Sequence, residues 1–358
     1  MAQTSKHQVL LLFSYRAYRR SWQKLERTPD KNFRPAPAKA RSKLLPGPSD
    51  KETMISLSNR PKSGCRPLDY KQIEHRLNGA PCLPSLGTIE NALKELLSAD
   101  QRYTTQIAEI IRRDPSLTSR LLHLVNSVYY GLANPIKNIE EAVFFLGVRQ
   151  IRQLAMVTPI IEEFQKLAQD RRFPWRQFWR HCIGTALLTR ELVDLVESPE
   201  GESDYVSGLI HDVGKIVMSS VFPEHFHAIY YAPADQGGEL VEMEKEILGM
   251  DHAELGALYL QKQRLPEIFI QVARFHHHPD AAPSHAKTVA AVQVADLLIR
   301  HTKIGDSGNH AEVAEDSWMA SAGWEILFAG QSDGEQTIGV ASLSRSLARI
   351  PAILESIL

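Results

Sequence analysis

The stretch Tyr205 to Ser219, YVSGLIHDVGKIVMS, sets His211 and Asp212 side by side in the middle of an apolar run. Leu209, Ile210, Ile216 and Val217 flank the pair, and such a run predicts a helix packed against a core rather than a solvated surface. Burying an unbonded neutral polar group costs about 2 to 7 kcal/mol, and a charge costs more. Asp212 therefore requires a cation or a set of donors, which a metal, Lys215 or another histidine could supply. For an isolated His-Asp dipeptide the simplest account is structural, the two side chains serving a bend before Gly214. The rest of the chain separates these accounts.

Elsewhere apolar residues recur at helical spacing, and no run keeps the period-2 alternation of a half-buried strand for more than a few residues. The chain reads as all-α. The body opens at Leu83-Pro84-Ser85-Leu86, with a helix through Ile89, Leu93 and Leu96 and a second over about Thr104 to Arg113. Asp114-Pro115 is a start signal for a third, a cap followed by proline at the first helical position. At its end Asn126 and Ser127 are placed to satisfy the backbone of a following turn. Ile139 to Leu146 is a fourth helix closed by Gly147, and Val148 to about Lys166 a fifth with Pro159 as a kink. Arg149 and Arg152 fall on its solvated face, since nothing resembles a helix-turn-helix pair with a basic reading surface.

A second helical group begins at Pro174. His181 opens the apolar segment HCIGTALLTRELVDLV, and His211-Asp212 follow about thirty residues later. An acidic segment, Glu239 to Met250, leads to Asp251-His252 at the head of another helix. Ile268 to Phe275 runs into His276-His277-His278-Pro279, and the apolar helix Val289 to Arg300 is interrupted by Asp296. The tail predicts two more helices, about Glu312 to Phe328 and Leu343 to Leu358, joined by a Gly-rich polar loop.

The net charge of -1 conceals an asymmetry: residues 1–77 hold 17 Lys and Arg against 6 Asp and Glu, leaving 24 basic and 36 acidic residues beyond them. From Thr28 to about Asn59, Pro, Ser, Lys and Arg dominate, a composition unable to bury enough apolar surface to offset ordering. Residues 1–78 thus read as a disordered basic leader, with a short helix from Leu68 to Leu77 leading into the body. A basic arm can bind nucleic acid or anionic lipid, but its aromatic and basic residues show no repeating pattern, so a nucleic-acid partner is disfavoured. No apolar run approaches the length of about 18 residues of a membrane span, and Val9 to Phe13 is too short for a secretory signal. These features predict a cytoplasmic protein. Cys65, Cys82 and Cys182, an odd number without metal-site spacing, predict reduced thiols.

Five histidines and two aspartates, His181, His211, Asp212, His252, His276, His277 and Asp296, lie in or at the ends of apolar helices. One such histidine is usually a satisfied core residue. Seven ligand-type side chains in one helical half call for a shared reason, and imidazole with carboxylate suits one or two ions such as Fe, Mn or Zn.

The order His181, then HDVGK at 211–215, then His252, His276-His277 and Asp296 resembles the HD superfamily of metal-dependent phosphohydrolases. The resemblance implies that His181, His211, Asp212 and Asp296 hold a metal and that His252, His276 and His277 serve a second. It implies that Asp212 bridges and that Lys215 faces the phosphate, making these two the catalytic candidates. LPSLGTIENAL at 83, IIRRDPSLTSRLLHLVNSVYYG at 110, IEEAVFFLGVRQIRQL at 139 and GLIHDVGKIV at 208 look more specifically like an HDOD protein, over about residues 80–305. That family implies two packed helical subdomains, the second HD-like, here 79–168 and 169–305, followed by a helical extension over 306–358.

Cyclic-dinucleotide phosphodiesterase relatives follow the paired histidines with Gly-Tyr-Pro, whereas this chain continues Pro279-Asp280-Ala281-Ala282-Pro283. HDOD proteins are regarded as signalling or protein-interaction modules without demonstrated hydrolase activity. The reading is therefore a bacterial regulatory module whose helical face from Leu83 to Phe164 binds a protein partner in a signalling pathway. The alternative is an HD-type phosphohydrolase acting on a phosphomonoester or cyclic nucleotide. A nucleotide or phosphate ligand would prefer more positive charge than the acidic body offers near Lys215.

Overall fold

The computed structural model describes residues 65–80, 122, 125–126, 135–147, 164–165, 167–168, 170–196, 203–231 and 239–357. Within them lie twelve helices and no strand. The leader up to residue 64, the helices expected between Leu83 and Arg113, the Asp114-Pro115 cap, most of the expected partner-binding face from Leu83 to Phe164, Pro159 and the two arginines of the fifth helix lie outside the described residues.

The first helix, α1 (Tyr70–Asn78), lies where the short helix from Leu68 to Leu77 was expected. Asp69 caps it reciprocally with Gln72, and Ile73 and Leu77, four residues apart, are buried in the core. The segment before it is tied down as well: Leu68 N donates to Leu248 O at 2.8 Å, and His225 Nε2 lies 3.1 Å from Arg66 O. Residues 65–78 are thus docked, because two core residues and a good cap outweigh the basic composition around them.

Helix α2 (Ile139–Leu146) has the expected bounds, capped by Asn138 and ended by Gly147 at φ 80°. Asn126 acts as the expected clamp. Its amide donates to Leu122 O and Ile136 O, and its Oδ1 accepts from Ile136 N at 2.7 Å.

The long helix α3 (Trp175–Leu195) runs through the centre, buried along most of its length. It packs against α4 (Ser203–Ile210), α10 (Ala286–His301) and α12 (Asp333–Ile357). The Tyr205–Ser219 stretch is two helices rather than the expected one. Helix α4 ends at Ile210, α5 (Val213–Val221) begins at Val213, and His211-Asp212 form the bend between them. Helices α6 (Pro223–Tyr230) and α7 (Leu240–Leu248) follow, then α8 (His252–Lys262), whose first turn is capped by Asp251 accepting from Glu254 N. Helix α9 (Glu267–Phe275) lies against α8 and α4.

Helices α5 and α8 approach closely where Gly214 faces Gly256. A Cβ at Gly214 would run into the carbonyl oxygen of His252, so the glycine of the HDVGK motif is required by contact with a neighbouring helix.

The tail departs from expectation at both helices. Helix α11 (Ala322–Phe328) starts ten residues later than expected, at the Ser321 cap, and residues 315–320 form turns. Helix α12 starts ten residues earlier, at Asp333, because Ser332 and Glu335 form a reciprocal cap: Ser332 N donates to Glu335 Oε2 at 2.8 Å and Ser332 Oγ accepts from Glu335 N. Pro351 sits inside this helix without ending it.

Candidate metal centre

Five separate pieces of backbone bring the expected side chains together. His181 comes from the second turn of α3, and His211 and Asp212 from the α4–α5 bend. His252 heads α8, His276 and His277 end α9, and Asp296 lies in the middle of α10. All are buried except His277, which is partly exposed.

The ligand-type atoms fall into two groups that meet at Asp212. His181, His211 and Asp296 form one and His252, His276 and His277 the other, each with its atoms within 4.8 Å of one another. Asp212 Oδ2 faces the first, 3.5 Å from His211 Nε2 and 3.8 Å from His181 Nε2. Its Oδ1 faces the second, 3.1 Å from His252 Nε2 and 3.8 Å from His276 Nε2. Within the groups, His181 Nε2 lies 3.1 Å from Asp296 Oδ1 and His277 Nε2 lies 3.0 Å from His252 Nε2.

The outer nitrogens of three rings set their tautomers. His211 Nδ1 is 2.9 Å from Gly208 O, and His276 Nδ1 is 3.0 Å from Ala273 O. A carbonyl oxygen can only accept, so each Nδ1 carries the proton and the Nε2 lone pair points inward. His252 Nδ1 is held the same way by the buried carboxylate of Glu244 at 2.6 Å. Meanwhile Nε2 of His181, His211 and His276 are buried with no hydrogen-bond partner in bonding geometry. Inward lone pairs, outer nitrogens anchored by acceptors and two carboxylates are what a divalent ion of the Fe, Mn or Zn type requires, and the residues present fit one.

Electrostatics favour neutral His211, His276 and His277 beside anionic carboxylates. Burial, then the charges of His211 and His252, lower His276 to about 3. His277 and His211 are lowered too, burial being the largest cause. Burial is the largest influence on Asp212 and Asp296 and would raise both, but Lys215, His211 and His252 together outweigh it at the first, and the neighbouring His181 and His211 rings with Arg300 outweigh it at the second, so both stay ionised. His252 runs the other way. Burial pulls it down, yet the Glu244 charge together with the hydrogen bonds of Asp212 and Glu244 lifts it to about 9.

Lys215 does not project into open space. Its Nζ donates to Asp212 Oδ2 at 2.6 Å and to Ser307 O at 3.0 Å, and the side chain is buried. The Ser307 segment reaches the site through a tight turn at Gly305, φ 73°, packed against the backbone of α3 beside His181. Motif and spacing do not single out Ser307, nor Arg300, 3.7 Å from Asp296 Oδ2, nor Glu244. Only Glu244 left a trace: Leu240, Glu244 and Leu248 form the buried stripe of α7, a charge where the helical period calls for an apolar residue.

Comparison with known proteins adds a family and a fold. The profile of the HDOD domain matches residues 83–279. An uncharacterized protein of Treponema pallidum (strain Nichols) is 29% identical over 235 residues, 64% of this chain and 44% of its own, so the chain spans less than half of that relative. The crystal structure of an HDOD domain protein of unknown function from Geobacter sulfurreducens superposes with a TM-score of 0.67 at 23% identity, covering 80% of this chain and 97% of the other. A protein from Shewanella amazonensis SB2B, provisionally named a phosphohydrolase, gives 0.57 at 22% identity over 80% and 98% of the two chains. One from Marinobacter aquaeolei VT8, provisionally named a signal transduction protein, gives 0.53 at 18% over 82% and 62%. Among the described residues, no helix is long and apolar enough to cross a membrane.

Proposed function

This chain belongs to the HDOD domain family, and from that premise we propose that it is a regulatory signalling module, built around a buried metal centre and acting through contacts with a protein partner rather than by hydrolysis. The observation that carries the reading is the inward engagement of Lys215 between Asp212 and Ser307 O. The cation nearest the centre is spent on the protein itself, and five of the seven ligand-type residues, all but His277 and Asp296, are 2% exposed or less. A phosphate ester would have to displace the Ser307 segment to meet that charge. The name of the Marinobacter neighbour is in keeping with a signalling role.

His181, His211, Asp212 and Asp296 would hold one ion, and His252, His276 and His277 a second, with Asp212 shared. Such an ion, when bound, supplies a Lewis acid and a water of lowered pKa. The chain's own residues hold His211, His276 and His277 toward the neutral form and exclude bulk water. In the signalling reading the centre ties α3, α5, α8, α9 and α10 into one body.

The second reading is a metal-dependent HD-type phosphohydrolase, favoured by the complete ligand-type set on both sides of Asp212. The deciding experiment measures metal per chain and phosphate release from phosphomonoesters and cyclic dinucleotides, for the wild type and Asp212→Ala. Metal lost in the variant, with no release from either protein, is the result expected. Release by the loaded wild type that vanishes in the variant would establish the second reading.

A further inference from the structure

Glu244 lies outside every set of ligand-type residues discussed above, yet it is fully buried, and it is the only carboxylate among the described residues to take both N–H groups of a candidate ligand. Its Oε2 accepts from His252 N at 2.8 Å and from His252 Nδ1 at 2.6 Å, while its Oε1 accepts from Tyr230 OH at 2.8 Å. One carboxylate thereby fixes the first residue of α8 by backbone and ring together. Tyr230 in turn is stacked on Phe226 and meets Phe173 edge-on, so the acceptor is itself held from behind by an aromatic cluster.

We propose that Glu244 is a positioning residue for the half of the centre formed by His252, His276 and His277: it aims His252 Nε2 inward and makes that nitrogen a stronger donor to a divalent cation. The physical reason is that a carboxylate on the outer N–H of an imidazole fixes its tautomer and raises its basicity, and loss of such a partner lowers metal affinity by about 10- to 100-fold. Oε2 and Oε1 divide the work. The ring is aimed by one oxygen and the carboxylate is kept from rotating by the hydroxyl on the other. The proposal rests on the reading of the centre as a metal site.

The test is a Co(II) titration of the full chain, stripped of metal, for the wild type, Glu244→Gln and Tyr230→Phe, followed by visible absorption and by competition with a chelator. Glutamine keeps the acceptor oxygen on His252 and can take the tyrosine oxygen as its own acceptor, so it removes the charge while leaving the packing. Glu244→Gln is expected to weaken Co(II) binding about 10- to 100-fold and to shift the cobalt bands, with circular dichroism of the metal-free protein unchanged. Tyr230→Phe is expected to lie between it and the wild type. Equal affinity and identical bands in Glu244→Gln and the wild type would overturn the proposal alone. No Co(II) binding by the wild type would overturn the metal-centre reading and this proposal with it. Should Glu244→Gln fail to fold, the Zn-loaded wild type still decides: a far-downfield, slowly exchanging Nδ1–H resonance that disappears in His252→Gln supports the assignment, and no such resonance overturns it.

Discussion

Lys215 Nζ and Asp212 Oδ2 meet at 2.6 Å, both side chains buried, three residues apart across the first turn of α5. The aspartate occupies the cap position of that helix but makes no capping hydrogen bond, so its charge is directed to the centre and to the lysine. Removing one member of a buried pair leaves the other uncompensated, at a cost of about 3 to 5 kcal/mol. Lys215→Met is expected to lose that much stability in metal-free protein, measured by urea unfolding. A loss below about 1 kcal/mol, the level of exposed pairs, would mean the pair is not desolvated.

Crowding at one glycine and open space at another predict opposite outcomes. Gly214→Ala drives a methyl into the His252 carbonyl oxygen and should cost at least the 1 to 3 kcal/mol or so typical of overpacking. Gly334→Ala, near the start of α12, meets only Ser332 Oγ at 3.9 Å and should gain up to about 1 kcal/mol through the unfolded chain. Thermal melts of the two variants check both signs.

The pH dependence of metal-free stability follows from the ring environments. His211, His276 and His277 are lowered in the folded protein, the second to about 3, whereas each titrates near 6.5 when unfolded. Their contribution is present above about 6.5 and is lost as pH falls, because the unfolded chain takes up protons that the folded centre refuses. His252, raised to about 9, contributes below about 6.5 and loses its share as pH rises toward 9. Urea unfolding should therefore show stability falling steeply from pH 7 to 5 and more gently from 7 to 9. A flat acid limb would contradict neutral rings.

Metal removal should be visible in stability irrespective of activity. Free ion at 1,000 times its dissociation constant adds about 4.1 kcal/mol to a native state that alone binds it. Chelator-treated wild type is expected to melt lower than Zn-saturated protein, with the difference absent in Asp212→Ala. An equal melting temperature with and without metal in the wild type would count against a bound ion.

Ligand-type residues are legible in the chain because polar side chains stand out against apolar helices: His181, His211, Asp212, His252, His276, His277 and Asp296 are all recognisable this way, and all converge. Helix existence is legible for the same reason, and the bounds of α2 follow from Asn138 and Gly147, local signals that need no neighbour. The Ser332–Glu335 cap is equally local, and it moves the start of α12 ten residues ahead of its apolar stripe.

What periodicity does not carry is the outcome of contacts between distant segments. The bend at His211-Asp212 exists because α5 must turn to lie against α8, an approach set by Gly214 and Gly256. The docking of residues 65–78 depends on partners in α6 and α7 far along the chain. Lys215 faces inward because Ser307 O, 92 residues away, accepts from it, and Glu244 serves His252 because α7 and α8 pack so that its carboxylate meets both N–H groups. Residue type and spacing specify which groups are available for chemistry. Which group is oriented, tied down or shielded is decided by packing, since hydrogen bonds and desolvation depend on distances that only the folded chain creates.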